Sequence, residues 1–572
     1  MSSDSSPTPP LGSSSDSPSS SASVARSSLI MASGTFVSRI LGMIRSPILL
    51  TMVVGLNAPI ANAFDVANVI PNILFSVLAG GFINAVLVPA IVQATHKSDD
   101  GGTAYINKLL TISIIFIGFI TLVLTLSAPF IVKLFAASLS NEWYEIAVYF
   151  AYWCIPQVFF YGLYAVIGQI LNARENFGPY MWAPALNNVV AIIGLLILLA
   201  TFGTPTVEET QTVAIWQSHR TTILGAFSTL GIASQALILI IPLRRLGIKF
   251  RFDFAWRGVG LGKTAKTSMW VLANTLVATI PTLLLTNVAS GATQRALNSG
   301  IGADLAPGNA AYSTAFLITN LPVSLVSISV ATAVFTKMAT SVAENNFENL
   351  RIQARTSIRV ITVFNVLAAA LLIVFALPIA RILVPAGSSN EIQSLALIII
   401  PLSLAPLGTG ITLIYEKVAF ALEETRAAFF TDIPGQLFLI CGYFACFYTN
   451  PYYTVIIMAC IQSVGMIVRL LPLVWYINRK VPGITNKELG SSFLKLLLVG
   501  SAVTTLGVTL THWFLPSAIT HTLGGAFVVC LLGGILVSTL FLIGLRIVRF
   551  PDITKLFSVV TARFNPINRA KF

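Results

Sequence analysis

The sequence predicts an all-α polytopic membrane protein with about fourteen transmembrane helices: two parallel-repeat six-helix lobes around a central cavity, plus two C-terminal helices. Three observations carry that prediction. The chain is 55% hydrophobic and only 10% charged over 572 residues, with mean hydropathy +0.84, whereas soluble domains carry about 25% charged residues. Its apolar runs are continuous rather than alternating, which selects helices over a barrel, since hydrocarbon admits only those two closed backbone solutions. Basic residues are sorted into alternate loops.

In chain order, residues 1–24 are mostly Ser and Pro with a few Asp and form a polar tail that cannot bury enough surface to order itself. No basic segment precedes an early apolar core, so this is not a secretory signal. The predicted spans are 28–55, 61–95, 108–136, 143–172, 180–203, 221–243, 266–290, 309–340, 355–384, 392–422, 428–448, 451–478, 493–515 and 523–547. The loop after the sixth holds Arg244, Arg245, Lys249, Arg251, Arg257, Lys263 and Lys266; the one after the twelfth holds Arg479, Lys480 and Lys487. The loops near Asn57, Thr204 to Gln217, Asn450 and Ser517 are poor in Lys and Arg. An even helix number with both termini cytoplasmic follows. The net charge of +13 is therefore a topology signal. Nothing resembles a folded basic module with interleaved aromatics, so no nucleic-acid partner is expected.

The two lobes come from an internal repeat. Pro71 and Pro322 lie 251 residues apart (322 − 71), and Pro184 and Pro434 lie 250 apart (434 − 184). A shift that spans six helices keeps both copies in one orientation, which places a site between them. The expected division is a tail at 1–24, an N-terminal lobe at 25–250, a C-terminal lobe at 251–485, an added helix pair at 486–550 and a basic tail at 551–572.

No Ser/His/Asp set, phosphate-binding Gly loop or metal cluster is present, so neither an enzyme nor a cofactor or metal is expected. Five cysteines (Cys154, Cys441, Cys446, Cys460, Cys530) fall in apolar runs and read as small hydrophobes. The informative residues are charges inside the spans, each costing roughly 2.5–3.5 kcal/mol at the centre of a lipid-facing helix. Arg39, Arg45 and Asp65 lie in the first two spans. Arg39 is expected about 16 Å into the first helix, near the midplane, with Arg45 one to two turns further out. Guanidinium groups stay charged and match phosphate oxygens in pairs, so both are candidates for binding an anionic head group; for each the competing role is structural. Asp65 either couples an ion or orients an arginine. Glu416, Lys417 and Asp432 form a second candidate group, for ion coupling or for a structural network with Arg469. Gly80 and Gly81 are a candidate hinge, or simply a close helix crossing.

Four stretches resemble the MurJ/MviN lipid II flippase family. They are SRILGMIR at 38–45, ANVIPNIL at 67–74, QILNARENFGPYMWAP at 169–184 and EKVAFALEETR at 416–426. The resemblance runs from about Val24 to about Arg549, and the polar DDGG loop is most similar to actinobacterial members. It implies a multi-pass protein of the bacterial plasma membrane that moves lipid II, an undecaprenyl-diphosphate-linked disaccharide-pentapeptide, outward by alternating access. It implies surrounding membrane lipids and cell-wall synthesis or division proteins as partners. It implies diphosphate contacts from Arg39, Arg45 and Asn72, and a lipid-tail groove beside helices thirteen and fourteen. Other family positions are not kept: cavity arginines fall at Phe75 and Leu317, and acidic residues fall at Gly80 and Asn62, with Asp65 one turn on. Two rival readings stand beside this one. An ion-coupled drug or cation antiporter of the same superfamily would use Asp65, Glu416 and Asp432, and would lose proton-driven efflux in Asp65→Asn. A non-transporting cell-wall scaffold would tolerate Arg39→Ala and Arg45→Ala.

Overall fold

The structure is a computed structural model and describes residues 33–79, 103–174, 176–217, 219–248, 250–254, 265–300, 302–514 and 522–550. The two tails and the Gly80–Gly81 pair lie outside the described residues. No β-strand occurs among the described residues. Among the described residues, fourteen helices are long and apolar enough to cross a membrane. They are α1 (Ser33–Val54), α2 (Pro59–Leu78), α3 (Tyr105–Leu126), α4 (Asn141–Ala173), α5 (Phe177–Phe202), α6 (His219–Arg245), α7 (Leu272–Asn298), α8 (Val323–Ala343), α9 (Phe347–Val374), α10 (Ser389–Ala421), α11 (Thr425–Tyr448), α12 (Pro451–Lys480), α13 (Lys487–Trp513) and α14 (Leu523–Ile547). The chain is a multi-pass membrane protein.

Several expected spans are interrupted: those at 143–172, 221–243 and 392–422 break after Cys154, Leu237 and Leu402, and three more break as follows. The span expected at 309–340 divides into a helix at Asn309–Thr319 and α8, which opens as a π-helical stretch over Val323–Ser327. Pro322 sits at the break, and its missing N–H prevents a continuous ladder. The span expected at 108–136 stops at Leu126 and resumes as the short helix Ala128–Phe135; the one at 355–384 stops at Val374 and resumes as Ala376–Leu383. These two short helices lie 248 residues apart (376 − 128). The lower halves of α4 and α10 keep the same shift, Gln157–Ala173 against Ala405–Ala421 (405 − 157 = 248). The repeat is thus visible in where helices break as well as in where they run.

α1 also departs from regular geometry. Its ladder widens to a π-helix over Ile44–Leu50, with Pro47 inside. A wider turn accommodates the proline ring without ending the helix. α1 then ends at Gly55, where φ is +74°, a conformation glycine adopts without cost. Pro59 opens α2 at the first helical position, where no N–H is required.

Within each lobe, close helix pairs are made by small residues. α5 packs on α6, and α11 packs on α12. A Cβ at Gly194 of α5 would lie 2.3 Å from Phe227 Cβ, and one at Gly442 of α11 would lie 2.6 Å from Ile461 Cγ2. The two glycines are again 248 apart (442 − 194). α13 and α14 pack on α9, sharing an apolar cluster that includes Val363, Phe375, Val499 and Phe541. The outer surface is apolar, as a lipid-facing surface must be: Leu126 and Trp513 are largely exposed. For the same reason Cys441 and Cys460 are exposed rather than buried; Cys154 and Cys446 are buried, and all five thiols are free.

Candidate functional site

The two lobes meet at a seam formed by α1 and α2 on one side and α7, the Asn309–Thr319 helix and α8 on the other. Along that seam lies a cavity of about 650 Å³. Its polar lining includes Arg39, Asn72, Asn309, Asn320, Ser324 and Gln462, and Leu285, Phe316 and Leu317 supply apolar wall.

Arg39 reaches across the cavity. Its Nη1 donates to Ser324 Oγ at 2.5 Å and its Nη2 to the Ser324 carbonyl at 3.3 Å, both on the π-helical start of α8. Its Nε is buried with no hydrogen-bond partner. Among the described residues no carboxylate pairs with it. A guanidinium held only by a hydroxyl and a carbonyl keeps its full charge available to an anion.

Arg45 faces elsewhere. Six residues on, it points into the first lobe, where Nη1 donates to Asn188 Oδ1 of α5 at 3.3 Å. It lines a smaller cavity of about 230 Å³ with Asn68, Gln157, Tyr161 and Ser228. The two cavities share Val69 and Asn72 as common wall, so Asn72 touches both spaces. Counted back from Val54, Arg45 is about 13 Å and Arg39 about 22 Å along α1. Within the described part of α1, Ser33–Val54, Arg45 is the nearer to the middle.

Among the described residues Asp65 has no arginine partner. Its Oδ2 accepts from Asn309 Nδ2 at 2.6 Å and from Ser313 Oγ at 2.8 Å, which ties α2 to the opposite lobe. One turn earlier, buried Asn62 donates to Thr293 Oγ1 at 3.0 Å and accepts from the Ala310 N–H at 3.1 Å. Asn57 donates to the Asp304 carbonyl at 2.8 Å and to Ser394 Oγ at 3.0 Å. These amides at the turn end of the seam were not singled out from sequence. Polar residues spaced along one apolar span were the available signal, but their partners lie more than 200 residues away.

The second group is inside the C-terminal lobe, apart from the cavity. Arg469 of α12 pairs with Asp432 of α11 through Nε and with Glu416 of α10 at 2.9 Å. Gln436 donates to the other Asp432 oxygen at 2.7 Å. Lys417 lies over the Phe335 ring at 5.2 Å and the Phe420 ring at 5.7 Å. Leu317, where the resemblance expected an arginine, lines the central cavity as apolar wall. Phe75 packs on Tyr161 with ring centroids 5.5 Å apart and the rings tilted by 31°.

At the helix ends beyond this network, Glu424 lies in the turn between α10 and α11. The Lys480 ammonium donates to it at 2.7 Å and the Tyr476 hydroxyl at 2.9 Å, and together they hold its carboxyl below the usual carboxylate range.

Comparison with known proteins gives these features a context. The family model described as lipid II flippase MurJ matches residues 55–525. A probable lipid II flippase MurJ of Synechocystis is 28% identical over 245 residues, covering 42% of this chain and 44% of the relative. One from Haemophilus influenzae is 26% identical, covering 45% and 49%. The chain thus spans less than half the length of these two curated relatives. A longer match, to a Borreliella burgdorferi protein of the same description, is 21% identical and covers 77% and 81%. Among solved structures, a lipid II flippase MurJ in an inward closed conformation aligns with TM-score 0.68 at 20% identity, covering 91% of this chain and 99% of that one. An inward-facing multidrug resistance MATE family transporter aligns with TM-score 0.52 at 16% identity, covering 74% and 95%. At these identities the structural likenesses speak to the fold.

Proposed function

Because this chain belongs to the lipid II flippase MurJ family, we propose that it carries lipid II from the cytoplasmic to the outer leaflet by alternating access of its two lobes. The observation that carries the proposal is the Arg39 guanidinium on the wall of the interlobe cavity, bound to Ser324 alone among the described residues. In this reading a diphosphate entering the cavity takes over from Ser324, accepting two parallel N–H bonds in place of one hydroxyl and one carbonyl. Asn72, Asn309, Asn320 and Gln462 offer neutral donors and acceptors to sugar and peptide groups. Arg45, one wall away across Asn72, adds field strength at the middle of α1.

The same reading divides the chain near residues 250 and 485, places both termini in the cytoplasm and needs no bond-breaking step. It leaves the lipid tail outside, against the surface beside α13 and α14. The antiporter reading would need free carboxylates on the cavity. Asp65 instead accepts from Asn309 and Ser313, and Glu416 and Asp432 share Arg469.

The test is complementation in bacterial cells depleted of their own flippase, with lipid II at the outer surface measured alongside growth. The intact chain should restore both. Arg39→Ala should lose export by about tenfold or more, the weight of one charge-assisted contact, and Arg39→Lys should retain part of it. Normal export by Arg39→Ala would refute the assignment.

A further inference from the structure

One carboxylate does two jobs at the turn end of the seam. Glu391 is the third residue of α10, and Ser388 precedes that helix as its cap. Ser388 Oγ accepts from the Glu391 N–H at 3.2 Å, and Glu391 Oε2 accepts from the Ser388 N–H at 3.0 Å. This reciprocal pair is a capping box, which uses only one carboxylate oxygen. The other, Oε1, crosses the seam. It accepts from the backbone N–H of Leu56 at 2.9 Å and of Asn57 at 3.1 Å.

Leu56 and Asn57 form the turn between α1 and α2 and are 0% exposed. Buried peptide N–H groups need acceptors, and these two use the same anionic one. Ser394, one turn further along α10, receives the Asn57 side chain. A polar cavity of about 320 Å³, with Thr210 and Gln211 on one lobe and Ser388 and Glu391 on the other, lies beside this turn. The arrangement is one-sided. The repeat places Trp143 opposite Glu391 (391 − 248 = 143), and Ser140 makes no side-chain cap bond.

We propose that Glu391 is the outer latch of the transport cycle: a positioning residue whose carboxylate holds the α1–α2 turn against α10 and releases it when the outer face opens. The proposal rests on the alternating-access reading, and it names a residue that touches no cargo. The two roles of Glu391 separate by mutation. Ser388→Ala breaks the capping box and leaves both Oε1 bonds in place. Glu391→Ala breaks both.

The experiment uses the full chain in lipid nanodiscs with spin labels at Val207 and Ser389, both exposed and flanking the polar cavity. Double electron–electron resonance reads the distance across the seam. Glu391→Ala should raise the ratio of long to short distances at least about tenfold, equal to about 1.4 kcal/mol, and Ser388→Ala should match the parent. An unchanged distribution in Glu391→Ala overturns the latch, as does an equal shift in Ser388→Ala. Should Glu391→Ala fail to fold, Glu391→Gln takes its place; its amide oxygen still accepts but carries no charge, so a smaller shift in the same direction is expected, and a parental distribution overturns the latch. Lipid II flipping is measured on the same variants in proteoliposomes. A parent that does not flip lipid II yet opens on loss of Glu391 refutes the cargo and leaves the latch standing.

Discussion

At the residue scale, the charges buried in a membrane span are the sites where sequence speaks most plainly, and they speak about cost rather than partner. Arg39 and Arg45 were legible as charges that must face protein or a wet space. Six residues on a helix is about 600°, which puts them on different stripes; that spacing reads as different depths of one broad cavity, whereas they line two cavities that share Val69 and Asn72. Asp65 shows where such reading stops. Its partners, Asn309 and Ser313, are 244 and 248 residues away, and no local pattern joins them. The contact sets an expectation. Asp65→Ala leaves two donors facing an empty position, at a cost of about 1–3 kcal/mol. Asp65→Asn keeps one oxygen and should cost less. Thermal unfolding of the purified protein in detergent reads both, and an Ala variant as stable as the parent would show that this tie contributes nothing.

At the element scale, the repeat was legible from prolines at a shift of 250–251, while helix breaks and glycine contacts follow 248. What the sequence hid were breaks such as those at Ser127 and Phe375, since an apolar run carries no mark of where it bends; Pro322 was a visible mark, but Pro184 and Pro434 lie inside unbroken helices. Two substitutions test the packing. At Gly194 a Cβ meets the Cβ of Phe227, which is fixed to its own backbone; at Gly442 it meets Cγ2 of Ile461, one bond further out, which a change of rotamer can move. Overpacking costs about 1–3 kcal/mol where the neighbour cannot yield. Gly194→Ala should therefore lower the unfolding temperature clearly more than Gly442→Ala, and the reverse order would contradict the geometry. The α10–α11 turn supplies a pH dependence. Glu424 is held below its unfolded value by Lys480 and Tyr476. Its contribution is complete above the unfolded carboxyl value near 4.3 and fades as pH falls through the lower folded value. For an exposed pair this is at most about 1 kcal/mol. Stability curves of the parent and Glu424→Gln should converge below about pH 4 and separate above it; parallel curves throughout would exclude this coupling.

At the scale of the whole molecule, the seam is tied unevenly among the described residues, and that asymmetry sets an expectation for which side the cavity faces. Toward the α1–α2 turn, four residues of the first lobe are bound across it: Leu56 and Asn57 to Glu391, Asn57 also to Asp304 and Ser394, Asn62 to Thr293 and Ala310, and Asp65 to Asn309 and Ser313. Toward the other end of the cavity, among the described residues lining it, Arg39 to Ser324 is the crossing bond. In the orientation we propose, with both termini cytoplasmic, the turn end lies outside and the Arg39 end toward the cytoplasm. In that orientation, a molecule closed by several buried ties on one face and, among the described residues, by one exchangeable guanidinium on the other is expected to rest with its cavity accessible from the cytoplasm. Leu317, partly exposed on the cavity wall, reports this without touching any tie. Leu317→Cys should react with a membrane-impermeant maleimide in inside-out vesicles and be protected in right-side-out ones, with the parent's own thiols as the background to subtract. Opening the outer face by Glu391→Ala should make the same position reactive from outside. Equal labelling from both faces in the Leu317→Cys protein would mean that the buried ties do not seal the outer side, and the uneven seam would then have no bearing on transport.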